Sequence, residues 1–273
     1  MITASIVLYN TSSQLIARVI ESYKPCDSRV LYIIDNSEHK TDRYMNLENI
    51  MYIHSGKNLG YGTAHNIGIE KAIEIGSDYH IVLNPDISFE TEILDDLIMY
   101  ANKHHDVVYM MPKVLYPDGE LQYLCKLLPT PFDLFFRRFL PQVGVFKKWN
   151  DRYILKQFGY DKIINPPCLS GCFMFMRVLT LRDNNIRFDE RFFMYCEDFD
   201  LIRRLHRVGK TMFYPYVSIV HNHEKASYKN WRMLVKHIVS VCKYFNKYGW
   251  FKDDERKKSN IRILECINNN NYS

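Results

Sequence analysis

The chain is 273 residues long, 47% hydrophobic and 25% charged, with a formal net charge of +5; that is ample apolar material for a buried core and excludes a disordered chain. Its seven cysteines are odd in number and form no CxxC pair, and the N-terminus does not read as a cleavable leader, so a reduced, cytoplasmic setting is expected. No window reaches the roughly 18 uninterrupted apolar residues of a membrane-spanning helix.

In chain order, Ile2 to Tyr9 is a β-rich apolar run. Asn10, Thr11, Ser12 and Ser13 then offer caps for a helix in which Leu15, Ile16, Val19, Ile20 and Tyr23 recur at helical spacing. Val30 to Ile34 and Ile50 to His54 predict a second and a third strand. The glycine-rich stretch from Gly56 to Gly62 leads into a helix from Thr63 to Ile75, and Tyr79 to Leu83 predicts a fourth strand ending on Asn84. Strands separated by single helices predict an α/β fold, with a mostly parallel central sheet and helices on both faces. Ligands of such sheets bind beyond the carboxyl ends of the strands. Tyr9, Asn10, Asp35, Asn84 and Asp86 all lie at or just after such ends.

The second half is less regular. Positions 121–160 hold three prolines, ten aromatics and seven Lys or Arg against two Asp, so this segment carries the whole positive excess of the chain. Phe173 to Arg177 and Met212 to Val220 predict strands around a helix that starts near Glu197 and ends near Gly209. Tyr228 to Lys247 predicts an amphipathic helix, with Trp231, Leu234, Val235, Ile238, Cys242 and Phe245 on the apolar face and Lys229, Arg232, Lys236, Lys243 and Lys247 opposite. The asparagine-rich end is expected to fray.

Four constellations can carry chemistry. Asn84-Pro85-Asp86 follows a buried strand, which puts a carboxylate on a rigid support where Mg²⁺ or Mn²⁺ could complete its shell with water and phosphate; the same three residues also make an ordinary turn. Glu197-Asp198 follows the aromatic run Phe188 to Cys196. Carboxylates there are either helix caps or, partly desolvated, a general base with a raised pKa. His221-Asn222-His223 puts two imidazoles on one side of a strand, as metal ligands or as hydrogen-bonded side chains. The loop GKNLGYGTAHN, Gly56 to Asn66, is neither a Walker loop nor a GxGxxG motif, and its glycines allow either close approach to a ligand or a turn.

Six segments in order, SIVLYN at 5–10, IIDNS at 33–37, NLGYGTAHNIGI at 58–69, LNPDI at 83–87, SGCFMFMR at 170–177 and FDERFFMYCEDFDLIRR at 188–204, resemble the family 2 glycosyltransferases of GT-A fold. The closer likeness is to the bacterial rhamnosyltransferase-like branch that builds O-antigen and other surface polysaccharides. The resemblance implies Tyr9 and Asp35 at the nucleobase, and Asn10, Asn58, Gly60, Asn66 and Asn84 along the ribose, diphosphate and sugar. Asn84 and Asp86 stand at the family's DxD metal motif, with Asn replacing the first acid, and His221 or, less favoured, His223 as the helper. Asp198 is the implied base with Glu197 as its neighbour and rival, and Gly171 and Tyr195 are on the acceptor. An inverting transfer follows, with L-rhamnose from dTDP-L-rhamnose as the expected donor and a polyprenyl-diphosphate-linked or oligosaccharide acceptor.

The implied organisation is a catalytic domain over 1–222, with a nucleotide-binding part at 1–112, an acceptor part at 113–222 and a helical extension at 223–273. The basic aromatic insertion at 121–160 is then either a peripheral contact with the cytoplasmic leaflet, through Phe132, Phe135, Phe136, Phe139, Phe146 and Trp149, or a packed subdomain. Two other functions fit the same residues: a metal hydrolase built on Asp86, His221 and His223, and a catalytically silent sugar-nucleotide or polysaccharide-binding module. Nucleic-acid binding is not expected, since the basic cluster carries no reader motif, and the oligomeric state is left open.

Overall fold

The computed structural model describes residues 1–135, 137, 143–222 and 231–272. His223, Tyr228, Lys229, Phe136 and Phe139, named above, lie outside them. The elements run β1 (Ile2–Leu8), α1 (Ser13–Tyr23), β2 (Arg29–Asp35), β3 (Ile50–His54), α2 (Tyr61–Glu74), β4 (Tyr79–Leu83), β5 (Ile87–Ser88), α3 (Ile93–Lys103), β6 (Val107–Leu115), α4 (Pro131–Phe135), α5 (Gly144–Tyr153), β7 (Phe173–Arg177), α6 (Val178–Asp183), α7 (Glu197–Val208), β8 (Lys210–His221), α8 (Trp231–Tyr248) and α9 (Asp254–Asn268). Ser12 caps α1 by accepting from Leu15 N, as its place before the helical repeat predicts.

Eight strands form one sheet in the order β3-β2-β1-β4-β7-β6-β8-β5. β1 pairs in parallel with β2 and β4, and β2 with β3. β7 then runs antiparallel to both β4 and β6, and β8 returns parallel to β6. The parallel half matches expectation; the reversed strands β7 and, at the edge, β5 make the second half mixed. β7 thereby brings its amino end to the carboxyl ends of β4 and β8, so residues far apart in sequence collect at one end of the sheet. Asn84 N donates to Cys172 O at 2.9 Å across this join. β5 pairs Ile87 with His221, and Asn222 N donates to Asp86 O at 2.9 Å, which fixes the Asp86 backbone against β8.

β6 and α3 form where no element was predicted. β6 contains Pro112, at which its register with β8 shifts; a missing N–H is tolerated at such a bulge. Behind the sheet, Thr3, Ser5, His65 and His80 make a buried polar cluster, with Ser5 Oγ at 2.8 Å from His65 Nδ1 and 2.9 Å from His80 Nε2. Burial drives His80 down to about 3, so both rings pack against β1 as neutral groups.

α8 corrects the predicted helix face. Val241, Tyr244 and Phe245 are its buried core, joined by Leu134, Phe192 and Cys196, whereas Trp231, Val235, Ile238 and Val239 are exposed. Tertiary partners choose between two apolar stripes: Ser240 Oγ donates to Met194 O at 2.7 Å, and the Tyr244 ring lies beside buried Arg203. Lys247 turns inward to Asp189 and Asp200 instead of facing solvent. In the basic aromatic segment, Phe135 stacks on Trp250, so it packs inward, while Phe132 is exposed and meets Trp149 edge-on at 4.7 Å. Among the described residues no helix is long and apolar enough to cross a membrane.

Candidate active site

A cavity of about 690 Å³ opens at the collecting end of the sheet. Of the residues singled out in the sequence, it brings together Tyr9, Asn58, Gly60, Asn84, Asp86, Gly171, Tyr195, Glu197, Asp198 and His221. Three do not line it. Asn10 is exposed in a left-handed turn after β1, its N–H held by Ser37 Oγ. Asp35 is buried at the end of β2, where its carboxylate accepts from Ser37 N and the Tyr52 hydroxyl. Asn66 is a clamp within the fold: its amide donates to Phe188 O and accepts from Phe188 N.

That clamp explains the glycines of the loop. A Cβ at Gly62 would meet Phe188 Cβ at 2.7 Å, and at Gly60, with φ +85°, it would collide with Phe193 O. Tyr61 N donates to the same Phe193 O at 3.0 Å. The close backbone approach is therefore to the segment that carries the acidic pair, not only to a ligand.

The acidic pair sits on a bent entry. Tyr195 and Cys196 both have positive φ, 72° and 64°; such conformations cost about 1–3 kcal/mol each in non-glycine residues and persist only where the surroundings hold them. The turn places Glu197 and Asp198 in the first turn of α7. Asp198 Oδ1 accepts from Phe199 N at 2.9 Å and Oδ2 from Gly171 N at 3.3 Å. A Cβ at Gly171 would stand 3.0 Å from Asp198 Cβ, so any side chain here would press on Asp198.

Burial pushes the Asp198 carboxyl above its ordinary range, opposed by Lys126 and by the two N–H groups. Glu197 is pushed much further, by burial and then by the Asp198 charge, and its Oε2 has no hydrogen-bond partner among the described residues. Burial thus raises both carboxyls, and the added Asp198 charge makes Glu197 the more reluctant of the two to ionise.

The Asn84, Asp86 and His221 side chains form the opposite wall. His221 Nδ1 is 3.1 Å from Gln122 Oε1, and Gln122 Nε2 donates to His221 O at 2.8 Å, which fixes the ring so that Nε2 faces Asp86 Oδ1 at 3.3 Å. Burial works to lower the imidazole, but Asp86 and Cys172 outweigh it and lift His221 to about 10. Apart from that His221 contact, the buried Asp86 Oδ1 makes no hydrogen bond among the described residues. A carboxylate and an oriented imidazole that attract a proton this strongly present the donor set of a divalent cation, with Gln122 as the outer partner that orients the ring. No set of three or more such side chains is arranged for a metal among the described residues, so Asp86 and His221 would supply two ligands and leave the others to water and phosphate.

Tyr61 and Gln122 were not anticipated. The Tyr61 hydroxyl lies 2.9 Å from both Asn84 Oδ1 and Gly171 O, joining the two walls. Its place between two glycines was a weak signal; for Gln122 there was none.

The profile described as glycosyl transferase family 2 matches residues 3–181. The chain is 28% identical over 184 residues to the N-acetylglucosaminyl-diphospho-decaprenol L-rhamnosyltransferase of Mycobacterium tuberculosis, a match covering 64% of this chain and 59% of that protein. It is 29% identical over 202 residues to the rhamnosyltransferase WbbL of Escherichia coli K12, covering 70% and 71%. Among solved structures, GalNAc-T7 with UDP, GalNAc and Mn²⁺ superposes with a TM-score of 0.63 at 14% identity, over 99% of this chain and 57% of that one. TarS 1–349 of S. aureus with UDP gives 0.55 at 13% identity, over 97% and 71%. The fold is that of the GT-A glycosyltransferases, and the profile match over well over half of the chain makes this protein a member of glycosyl transferase family 2.

Proposed function

We propose that the protein is an inverting rhamnosyltransferase. It takes L-rhamnose from a nucleoside-diphosphate sugar, dTDP-L-rhamnose in the first instance, and delivers it to a hydroxyl of a polyprenyl-diphosphate-linked acceptor. The observation that carries this is the position of Asp198. It stands in the wall between the cavity of Tyr9, Asp86 and His221 and a second cavity of about 600 Å³, which shares Ser170, Tyr195, Glu197, Asp198 and His221 with the first. A donor in one and an acceptor in the other meet over this carboxylate. Asp198 takes the proton of the acceptor hydroxyl, the oxygen bonds to the anomeric carbon from the face opposite the diphosphate, and the nucleoside diphosphate leaves with the electron pair of the broken bond. Asp86 and His221 would hold Mg²⁺ or Mn²⁺, whose charge stabilises the departing diphosphate.

A thermal-shift series with UDP, dTDP, GDP and their sugars tests the donor side, because stabilisation follows ligand affinity. The expected result is a Mn²⁺-dependent shift, largest for dTDP-rhamnose, that loses its metal dependence in Asp86→Ala. A metal-independent response, or none, removes Asp86 from the cation. Turnover, with the product anomer read by NMR, separates the enzyme from a silent binding module and inversion from retention.

An acceptor of this class would bring the protein to a membrane surface. Trp231, Val235, Ile238 and Val239 of α8 are exposed beside Lys236, and Phe132, Val143, Lys147 and Lys148 are exposed in and around α4 and α5. Exposed apolar side chains interleaved with lysines suit an anionic leaflet. Cosedimentation with phosphatidylglycerol vesicles but not phosphatidylcholine vesicles is expected, weakened in Trp231→Ser/Ile238→Ser; equal recovery with both lipids contradicts it.

A further inference from the structure

We infer that the second cavity recognises its acceptor through the acceptor's own diphosphate, held by Lys126 with Arg137. The inference rests on the transferase reading above and adds to it the chemical group that selects the acceptor.

The second cavity is unlike the first in charge. Lys126, Arg137 and His237 line it on the α4 and α8 side. Lys126 is half-buried with its ammonium 5.3 Å above the Phe199 ring, and among the described residues it makes no ion pair with a carboxylate. A half-buried cation over an aromatic face, with no carboxylate ion pair, retains most of its capacity for an anion. Arg137 lies 5.2 Å over the Tyr153 ring and, among the described residues, spends one bond on Asn150 Oδ1 at 3.3 Å, which leaves most of its planar fork of donors unspent on them.

The carboxylates of this cavity do not satisfy these cations. Asp133 is turned to Thr130, whose N and Oγ1 lie at 2.6 and 2.5 Å from its Oδ2, and burial raises its pKa. Glu120 is exposed, and Glu197 and Asp198 face the shared wall. A compact dianion spanning an ammonium and a guanidinium is the complement, and a diphosphate offers that charge in two adjacent groups.

Geometry also ties this anion site to the reaction. Lys126 and Asp198 line the same cavity. An anion on Lys126 therefore lies close to the hydroxyl that Asp198 deprotonates, as it would in an acceptor whose reacting sugar is joined directly to a diphosphate. Leu121, Leu124, Leu134 and Ile154 give the rest of the cavity an apolar wall, and its α4 and α8 rim adjoins the exposed apolar residues of α8. The order along the cavity is thus reacting sugar, diphosphate, lipid.

The test compares two acceptors of the same sugar: N-acetylglucosaminyl diphosphate carrying a short alkyl chain, and the neutral octyl N-acetylglucosaminide. In Lys126→Met the ratio of kcat/KM for the charged over the neutral acceptor is expected to fall at least tenfold, mainly through KM, and Lys126→Arg to restore it. Arg137→Met is expected to move the ratio the same way. An equal loss on both acceptors overturns the inference, since it assigns Lys126 to Asp198 or to packing.

A second readout does not depend on transfer. Inorganic pyrophosphate with EDTA is expected to stabilise Asp86→Ala thermally, and to lose that effect in Asp86→Ala/Lys126→Met. No stabilisation of Asp86→Ala overturns the site. Wild-type protein that transfers to neither acceptor but is stabilised by pyrophosphate through Lys126 sinks the rhamnosyltransferase reading and keeps the anion site.

Discussion

Asp198→Asn is expected to lower kcat for transfer by about 10²–10⁴-fold, the usual contribution of a positioned general base, with nucleotide affinity held within a few-fold. The asparagine keeps the side-chain oxygen that accepts from Phe199 N at 2.9 Å, so the first turn of α7 should stay in place. What it loses is the capacity to take a proton. Calorimetric titration of the nucleotide beside single-turnover transfer separates the two effects.

The pH profile carries the same assignment. Burial raises the Asp198 pKa, and the base works only when ionised, so activity should climb with pH through a midpoint above the ordinary aspartate value. Glu197→Gln is expected to cost less and to leave that midpoint nearly in place, because burial and not the Glu197 charge raises Asp198. Activity that survives Asp198→Asn and vanishes in Glu197→Gln would transfer the base role to Glu197.

Asp253→Ala should produce the largest loss of stability, about 3–5 kcal/mol by analogy with other broken buried ion pairs. Arg203 and Asp253 are 2% and 3% exposed, and the guanidinium makes paired bonds of 2.8 and 2.6 Å to the two carboxylate oxygens. Asp253 also caps α9 through Arg256 N at 3.0 Å, a contact worth about 1 kcal/mol in comparable helices. Glu255 remains beside Arg203 but is more exposed and is shared with Arg207, so it compensates only in part. A lower urea midpoint at unchanged slope is the expected signature. Asp253→Ala/Arg203→Met should recover part of the loss, because the stranded charge is gone; a single-variant effect below about 1 kcal/mol would mean that solvent already screens the pair. The contact matters for function because Arg203 and Asp198 share α7.

Much of this was legible in the sequence, for a physical reason. β1, β2 and β4 are short apolar runs that each end on polar residues, and a parallel sheet sends all such ends to one edge. That rule puts Tyr9, Asn10, Asp35, Asn84 and Asp86 at this edge, and Tyr9, Asn84 and Asp86 line the cavity there while Asn10 and Asp35 do not. His221 follows it on β8, and Gly171 and Asp198 came with the motif order. Asn66 misled because an amide that clamps a backbone reads the same as one that binds a ribose. Gln122 was invisible, since its contact with His221 spans 99 positions and no local period encodes a pair so distant. The face of α8 failed differently: two apolar stripes were present, and only Arg203 and Met194, on other parts of the chain, decide between them.

The Gly60–Phe193 contact has a consequence for how relatives of this protein can diverge. A backbone that admits no side chain at 60, and whose next N–H is bonded to that same carbonyl, ties the glycine loop to the segment leading into Glu197 and Asp198. Neither can be inserted into, lengthened or swapped between homologues alone. A chimera that changes sugar preference has to inherit residues 58–66 and 188–198 together, as a single heritable block assembled from two distant stretches of the gene.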